Sequence, residues 1–326
     1  MPLQNMKVDV LVDSDHWRNA MRSEVRAGLL STPKRLPSKY FYDTRGSDLF
    51  EEITDLPEYY QTRTEQALLE RCAGEICRIV RPLELIELGA GSSKKTRMLL
   101  DAATAENRLE RYIPLEVSEG MARQSGADIA GDYPGIDIHA VVGDFDHHLT
   151  DLPSGTRRLV VFLGSTIGNM VREDAIEFLR EVSQLLDSES ALLLGTDLVK
   201  DKQVLEAAYN DARGVTAAFN LNILSVINNE LAGNFNPEGF EHVAFFNEDE
   251  ERIEMHLKAR TMQRARLEDL EMNVAVQAGE MIHTEVSCKY RKESVQAMLG
   301  EAGLELEHWY TDPKNYFALS LARRAR

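Results

Sequence analysis

From about Thr62 the chain alternates short, mostly apolar runs with longer stretches whose apolar positions recur every three or four residues. Leu83–Leu88, Tyr112–Val117, Ile136–Val142, Leu159–Leu163 and Ala191–Gly195 have the length and hydrophobicity of strands buried on both faces. Helical periodicity over Thr64–Val80, from about Ser93, over Glu119–Ala130 and over Arg172–Leu186 separates them. This alternation predicts an α/β fold built on a doubly wound parallel sheet. Outside that block the rhythm changes. The first sixty residues read as helix and loop: a helix capped by Asp15 runs through Leu29, and Pro33 and Pro37 break it. An aromatic block follows, Tyr40-Phe41-Tyr42, Leu49-Phe50 and Pro57-Glu58-Tyr59-Tyr60.

After Lys200 a long helical stretch, Val204–Asn229, leads to Arg252–Arg260, which alternates like a half-buried strand, and to a short strand at Thr284–Lys289. The tail, Leu304–Trp309 and Tyr316–Leu321, reads as a hairpin that closes the sheet. The pattern therefore predicts two discontinuous units, 63–199 plus 288–326 for the sheet and 9–62 plus 200–287 for a second lobe.

Composition narrows the partners. The 326 residues are 43% hydrophobic and 28% charged, ordinary for a folded protein, and carry a net charge of −17. So negative a surface disfavours nucleic acid and anionic membranes. Cys72, Cys77 and Cys288 lack CxxC spacing and read as reduced thiols. Met1–Arg18 has no apolar signal core, and no apolar run approaches a membrane span. A cytoplasmic monomer, with no coiled-coil seam, is expected.

The most informative run is Leu85-Ile86-Glu87-Leu88-Gly89-Ala90-Gly91-Ser92-Ser93-Lys94-Lys95-Thr96, a strand passing through G-x-G into a helix start. Lys94 stands where a dinucleotide fingerprint has its third glycine, and no Gly-Lys-Ser/Thr follows, so a P-loop is excluded. The run resembles the first motif of class I S-adenosylmethionine (SAM) methyltransferases. Glu116 ends the next strand, where a carboxylate can take both ribose hydroxyls. Gly143-Asp144-Phe145 follows the third, where acid plus aromatic can hold adenine. Helix capping is the structural alternative for both acids.

With these residues the chain from about Val25 to Leu321 resembles the histidine Nα-methyltransferase family of ergothioneine biosynthesis. The matching strings include Lys39-Tyr-Phe-Tyr-Asp, Gly46-Ser-Asp-Leu-Phe, Leu56-Pro-Glu-Tyr-Tyr, Phe162-Leu-Gly-Ser-Thr-Ile-Gly-Asn, Gly214-Val-Thr-Ala-Ala-Phe-Asn and Thr284-Glu-Val-Ser-Cys-Lys. The resemblance implies conversion of L-histidine, through its mono- and dimethylated forms, to hercynine with three SAM molecules. It implies a SAM-dependent methyltransferase domain with a substrate-binding lobe. Gly89, Gly91, Lys95, Glu116, Asp144 and Phe145 would contact SAM; the family usually has Asp at 116, and Glu adds a methylene. Tyr59, Gly164, Asn169 and Tyr209 would surround the amino and carboxylate groups, orienting substrate with no dedicated general base. Glu285 and Ser287, on one face of a strand, would hold the imidazole, Met255 would line the ring pocket, and Tyr42 with Tyr59 would steady the growing methylammonium.

Two other readings remain at this point. One is an N-methyltransferase for a tryptophan-derived or other aromatic amine, for which a buried Glu285 has less use. The other is a non-catalytic SAM-binding sensor, which would need the accepting pocket blocked although Gly164, Asn169 and Tyr209 all remain. No metal is expected: His147 and His148 are adjacent and point apart, and His256, on the probable strand, reads as surface.

Overall fold

The computed structural model describes residues 5–12, 14–91, 93–105, 108–145 and 147–325, without the side chains of 14–16. The expected Asp15 cap therefore lies outside the described residues. In chain order come β1 (Met6–Val10), α1 (Ser14–Leu30), β2 (Lys34–Arg35), α2 (Thr44–Thr54) and α3 (Tyr60–Val80). Next are β3 (Glu84–Leu88), α4 (Arg97–Ala105), β4 (Arg111–Glu116), α5 (Glu119–Asp132) and β5 (Asp137–Val142). Then follow β6 (Arg158–Phe162), α6 (Arg172–Gln184), β7 (Ala191–Asp197), α7 (Lys202–Tyr209) and α8 (Val215–Glu230). The last third holds β8 (Phe240–Asn247), β9 (Arg252–Ala259), β10 (Gln263–Leu267), β11 (Met272–Val276), β12 (Met281–Cys288), α9 (Lys292–Glu301), β13 (Leu304–Thr311) and β14 (Phe317–Arg324).

The chain divides into two compact units, Met1–Asp13 with Arg63–Leu198 and Tyr290–Arg326, and Ser14–Thr62 with Val199–Lys289. The first is built on an eight-stranded sheet of order β1-β5-β4-β3-β6-β7-β14-β13. Pairing is parallel from β1 to β7, and the C-terminal hairpin adds antiparallel at β7. Every residue of β3, β6 and β7 is buried, as expected of central strands covered on both faces. Their fully buried side chains, Leu85, Ile86, Val160, Val161 and Leu193 among them, each stabilise the fold by roughly 1.5–3 kcal/mol. The chain runs outward from β3 through β4 to β5, then returns to the other side of β3 as β6. That reversal between β3 and β6 is where open α/β sheets bind ligands. The second unit holds a four-stranded sheet, β2-β12-β9-β8, and the hairpin β10-β11.

Three expectations are corrected. Residues 9–12 belong to the sheet unit, because β1 pairs with β5 from Met6↔Ile138 to Val10↔Val142. Lys7 and Asp9 sit on this edge strand, so its apolar signal is too short to read as a strand. At the other boundaries, Val199, Cys288 and Lys289 fall in the second unit. Cys288 is still paired with Arg252, and Lys289 N–H donates to Glu251 O. The long helix over 204–229 is two helices. Gly214 is left-handed, with φ of +74°, and Asp211 restarts the helix by accepting from Val215 N and Thr216 N at 2.9 and 2.8 Å.

Candidate active site

The G-x-G loop after β3 turns through left-handed glycines, with φ of +70° at Gly89 and +50° at Gly91. A Cβ on Gly91 would meet nothing within 4 Å, and one on Gly89 only Phe145 Cε1 at 3.8 Å. The loop thus leaves open space against Phe145, a fit for a flat ligand on bare backbone. Beneath it, Glu87 is buried and accepts from Thr96 Oγ1 and Tyr112 Oη, while Ser93 Oγ lies 2.9 Å from Tyr112 Oη. Burial pushes the Glu87 carboxyl up to about 7, against the pull of those hydroxyl donors.

Glu116, at the end of β4, accepts from Gly91 N (2.8 Å) and Ser118 N (3.1 Å), one bond on each oxygen. A carboxylate has acceptor sites beyond these two, so the side chain shapes the loop and still offers acceptors. Asp144 and Phe145 follow β5, both half-buried. Phe145 packs edge-on against Phe162 (5.5 Å) and Phe178 (5.7 Å), which fixes its ring. His148 Nδ1 accepts from Asp144 N at 3.1 Å, so at least one of the paired histidines shapes this turn.

Lys95 pairs with Glu65, a wholly buried carboxylate on α3. Glu65 also accepts from Gly164 N at 2.7 and 3.0 Å. One carboxylate therefore joins the loop after β3 to the loop after β6, across the switch point of the sheet. Sequence reasoning missed Glu65, although it continues the helical stripe of Leu68, Leu69, Cys72 and Ile76, all buried. An acid on an apolar stripe was the available signal. After Gly164 (φ +75°), Ser165 is also left-handed (φ +57°), and its Oγ accepts from Asp197 N at 2.9 Å. Tyr290 Oη donates to Ile167 O at 3.2 Å, bracing the 3-10 turn that ends at Asn169.

In the second unit, β9 and β12 pair Met255 with Glu285 and Ile253 with Ser287. Paired and alternate residues share a face, so Met255, Glu285 and Ser287 form one patch. All three are buried, Glu285 to 9% exposure. Tyr209 Oη donates to Ser287 Oγ at 2.8 Å. Lys289, which the sequence reading passed over, is buried at 3% exposure and donates to Ser287 Oγ (2.8 Å) and Tyr209 Oη (3.0 Å). It lies two residues beyond Ser287 in the same alternation, the pattern that would have flagged it. The Glu285 carboxylate accepts no hydrogen bond from the described residues; burial pushes it up to about 7, opposed by the Lys289 ammonium. Tyr42 and Tyr59 both pack edge-on against Phe50, at 5.6 and 6.3 Å. Tyr42 is 42% exposed; Tyr59 is half-buried. His256 is not a surface residue: it is 8% exposed and stacked on Phe245 at 5.5 Å.

A mostly parallel sheet with a glycine loop after β3, an acid closing β4 and an acid-aromatic pair after β5 defines the protein as a class I SAM-dependent methyltransferase. A family model described as "Histidine-specific methyltransferase, SAM-dependent" matches residues 21–324. The chain is 54% identical over 311 residues to the histidine N-alpha-methyltransferase of Mycolicibacterium smegmatis, covering 95% of this chain and 97% of that one. It is 48% identical over 321 residues to the enzyme of the same name from Mycobacterium tuberculosis, covering 98% and 100%. Ergothioneine biosynthesis protein 1 of Neurospora crassa is 29% identical over 311 residues, 89% of this chain and 33% of its own length. The chain belongs to the histidine-specific, SAM-dependent methyltransferase family.

Proposed function

We propose that this protein methylates the α-amine of L-histidine three times, through the mono- and dimethylated amino acids, to give hercynine for ergothioneine biosynthesis. The observation that carries the reading is Glu285, a nine-tenths buried carboxylate with no described donor, beside Ser287 and Met255. A buried carboxylate requires a partner, and an imidazole N–H is a fitting one. An indole could offer its N–H as well, but its larger apolar body makes poor use of a face that also carries the Ser287 and Lys289 polar groups. The relatives named for histidine and for ergothioneine support the same substrate and pathway.

In this reading Gly89, Gly91, Glu116, Asp144 and Phe145 hold SAM: bare backbone along the loop, carboxylates toward hydroxyl and amino groups, the fixed Phe145 ring against the base. Lys95 acts with Glu65 to set the loop. When bound, SAM supplies an electrophilic methyl group on a sulfonium. The nucleophile must then be a neutral amine, whereas an α-amine with a pKa of about 8 is mostly protonated at neutral pH. Tyr59, Gly164, Asn169 and Tyr209 orient the amino and carboxylate groups, and the amine's proton leaves to solvent. Tyr42 and Tyr59 face the methylammonium as it grows, worth about 0.5–2 kcal/mol by cation–π attraction. Rate enhancement comes from orientation and desolvation.

Among the described residues no helix is long and apolar enough to cross a membrane, and Cys72, Cys77 and Cys288 form no disulfide. A cytoplasmic location belongs to the same reading. Mass spectrometry of the protein incubated with histidine and SAM tests it. Three successive methyl increments on histidine support the assignment; no product, or product only with tryptophan, contradicts it.

A further inference from the structure

We infer that the four-stranded sheet carries a second ligand site, on the face opposite Met255 and Glu285, in which Glu254, His256 and His283 take a divalent transition cation of the zinc class. On β9, Glu254 and His256 alternate with Ile253 and Met255, so they leave the opposite face. On β12, the ladder pairs His283 with His256 but Glu285 with Met255, with an irregularity at Thr284 between them. In a regular strand 283 and 285 would share a face. The bulge sends His283 to the His256 side and Glu285 to the ring-receptor side.

The three side chains then converge. Each offers one donor atom, and those atoms all lie within 4.8 Å of one another. The His256 and His283 ring centres are 5.0 Å apart, and the His256 ring is fixed parallel to Phe245. His256 Nε2 is 3.1 Å from Glu254 Oε2, close to the edge of about 3.3 Å that bonds of about 2.0 Å give a tetrahedral zinc ion. Glu254 and His256 are 9% and 8% exposed. His283 also has a buried nitrogen, Nε2, with no hydrogen-bond partner. Such a group calls for an explanation, and metal ligation of the imidazole is one.

Two imidazoles and a carboxylate suit zinc, cobalt or nickel, whereas magnesium and calcium prefer all-oxygen sets. Glu254 Oε1 is held by Arg252 (2.8 and 2.9 Å) and Asn247 (3.0 Å), which leaves Oε2 facing His256. Arg252 thus orients the carboxylate while its charge opposes a cation. A bound ion would tie β9 to β12 directly behind Met255 and Glu285.

The test is a Co²⁺ titration of the untagged, chelator-stripped full chain, followed by visible absorption, with Zn²⁺ and Mg²⁺ as competitors. One equivalent of Co²⁺ should give a saturable nitrogen- and oxygen-ligand spectrum that Zn²⁺ abolishes and Mg²⁺ does not. His256→Gln or His283→Gln should weaken binding by about tenfold or more. Absence of a saturable spectrum, equal displacement by Mg²⁺, or unchanged binding in the His256→Gln/His283→Gln double variant overturns the site. Should the histidine variants fail to fold, Glu254→Gln takes their place: weaker Co²⁺ binding supports the site, and unchanged binding overturns it.

Discussion

Lys289 is the residue whose position bears most on substrate selection under the proposed function. Its ammonium is buried between Ser287 Oγ and Tyr209 Oη, and it lies 4.9 Å from the Tyr209 ring centre. It therefore fixes where the Ser287 and Tyr209 hydroxyls point, and it sets the charge felt by Glu285. Hydrogen bonds to a charged group are worth about 1.5–3 kcal/mol. Lys289→Met should raise the KM for histidine by about tenfold or more while kcat changes much less. Steady-state kinetics over a range of histidine concentrations checks this, and an unchanged KM would remove Lys289 from the receptor. Glu65 works similarly in the other unit, but on backbone, by holding Gly164 N–H and Lys95 together.

At the scale of elements, the strands and helices of the sheet unit were legible because burial on both faces leaves short runs that are mostly apolar. β3 to β7 and the C-terminal hairpin lie within a few residues of where periodicity puts them. β1 was not legible, since an edge strand with Lys7 and Asp9 has few buried positions to announce it. The break between α7 and α8 was hidden because both helices are apolar and the Asp211 cap works through local backbone bonds. The glycine loop and the acids after β4 and β5 were readable as motifs, whereas Glu65 and Lys289 act through partners distant in sequence. The His256 cluster escaped for the same reason: Thr284 as a bulge residue is invisible in a pattern of period two.

The glycine-loop element also stores a pH response. Glu87 is pushed up to about 7 from an ordinary 4.5, so it holds its proton more tightly folded than unfolded. That preference supports folding fully below about pH 4.5 and is lost as pH rises through about 7, a change on the order of 3 kcal/mol. Glu87→Gln should therefore flatten the fall in stability between about pH 5 and 8. Urea denaturation at several pH values measures it, and identical slopes for both proteins would show that Glu87 does not titrate there.

At the scale of the whole molecule, the chain divides its work between two units. One presents the glycine loop, Glu116, Asp144 and Phe145; the other presents Glu285, Ser287, Tyr209 and Lys289 on a face of a small sheet. Under the proposed function, selectivity for the amino acid would reside in the second unit and the donor chemistry in the first. The most direct check is a competition assay in which histidine and tryptophan share one pool of SAM, comparing the ratio of their kcat/KM values in the wild type and in Glu285→Ala. Loss of a charged hydrogen bond predicts that the variant's preference for histidine falls by about tenfold or more. A preference that survives the substitution unchanged would contradict the claim that the buried carboxylate reads the imidazole.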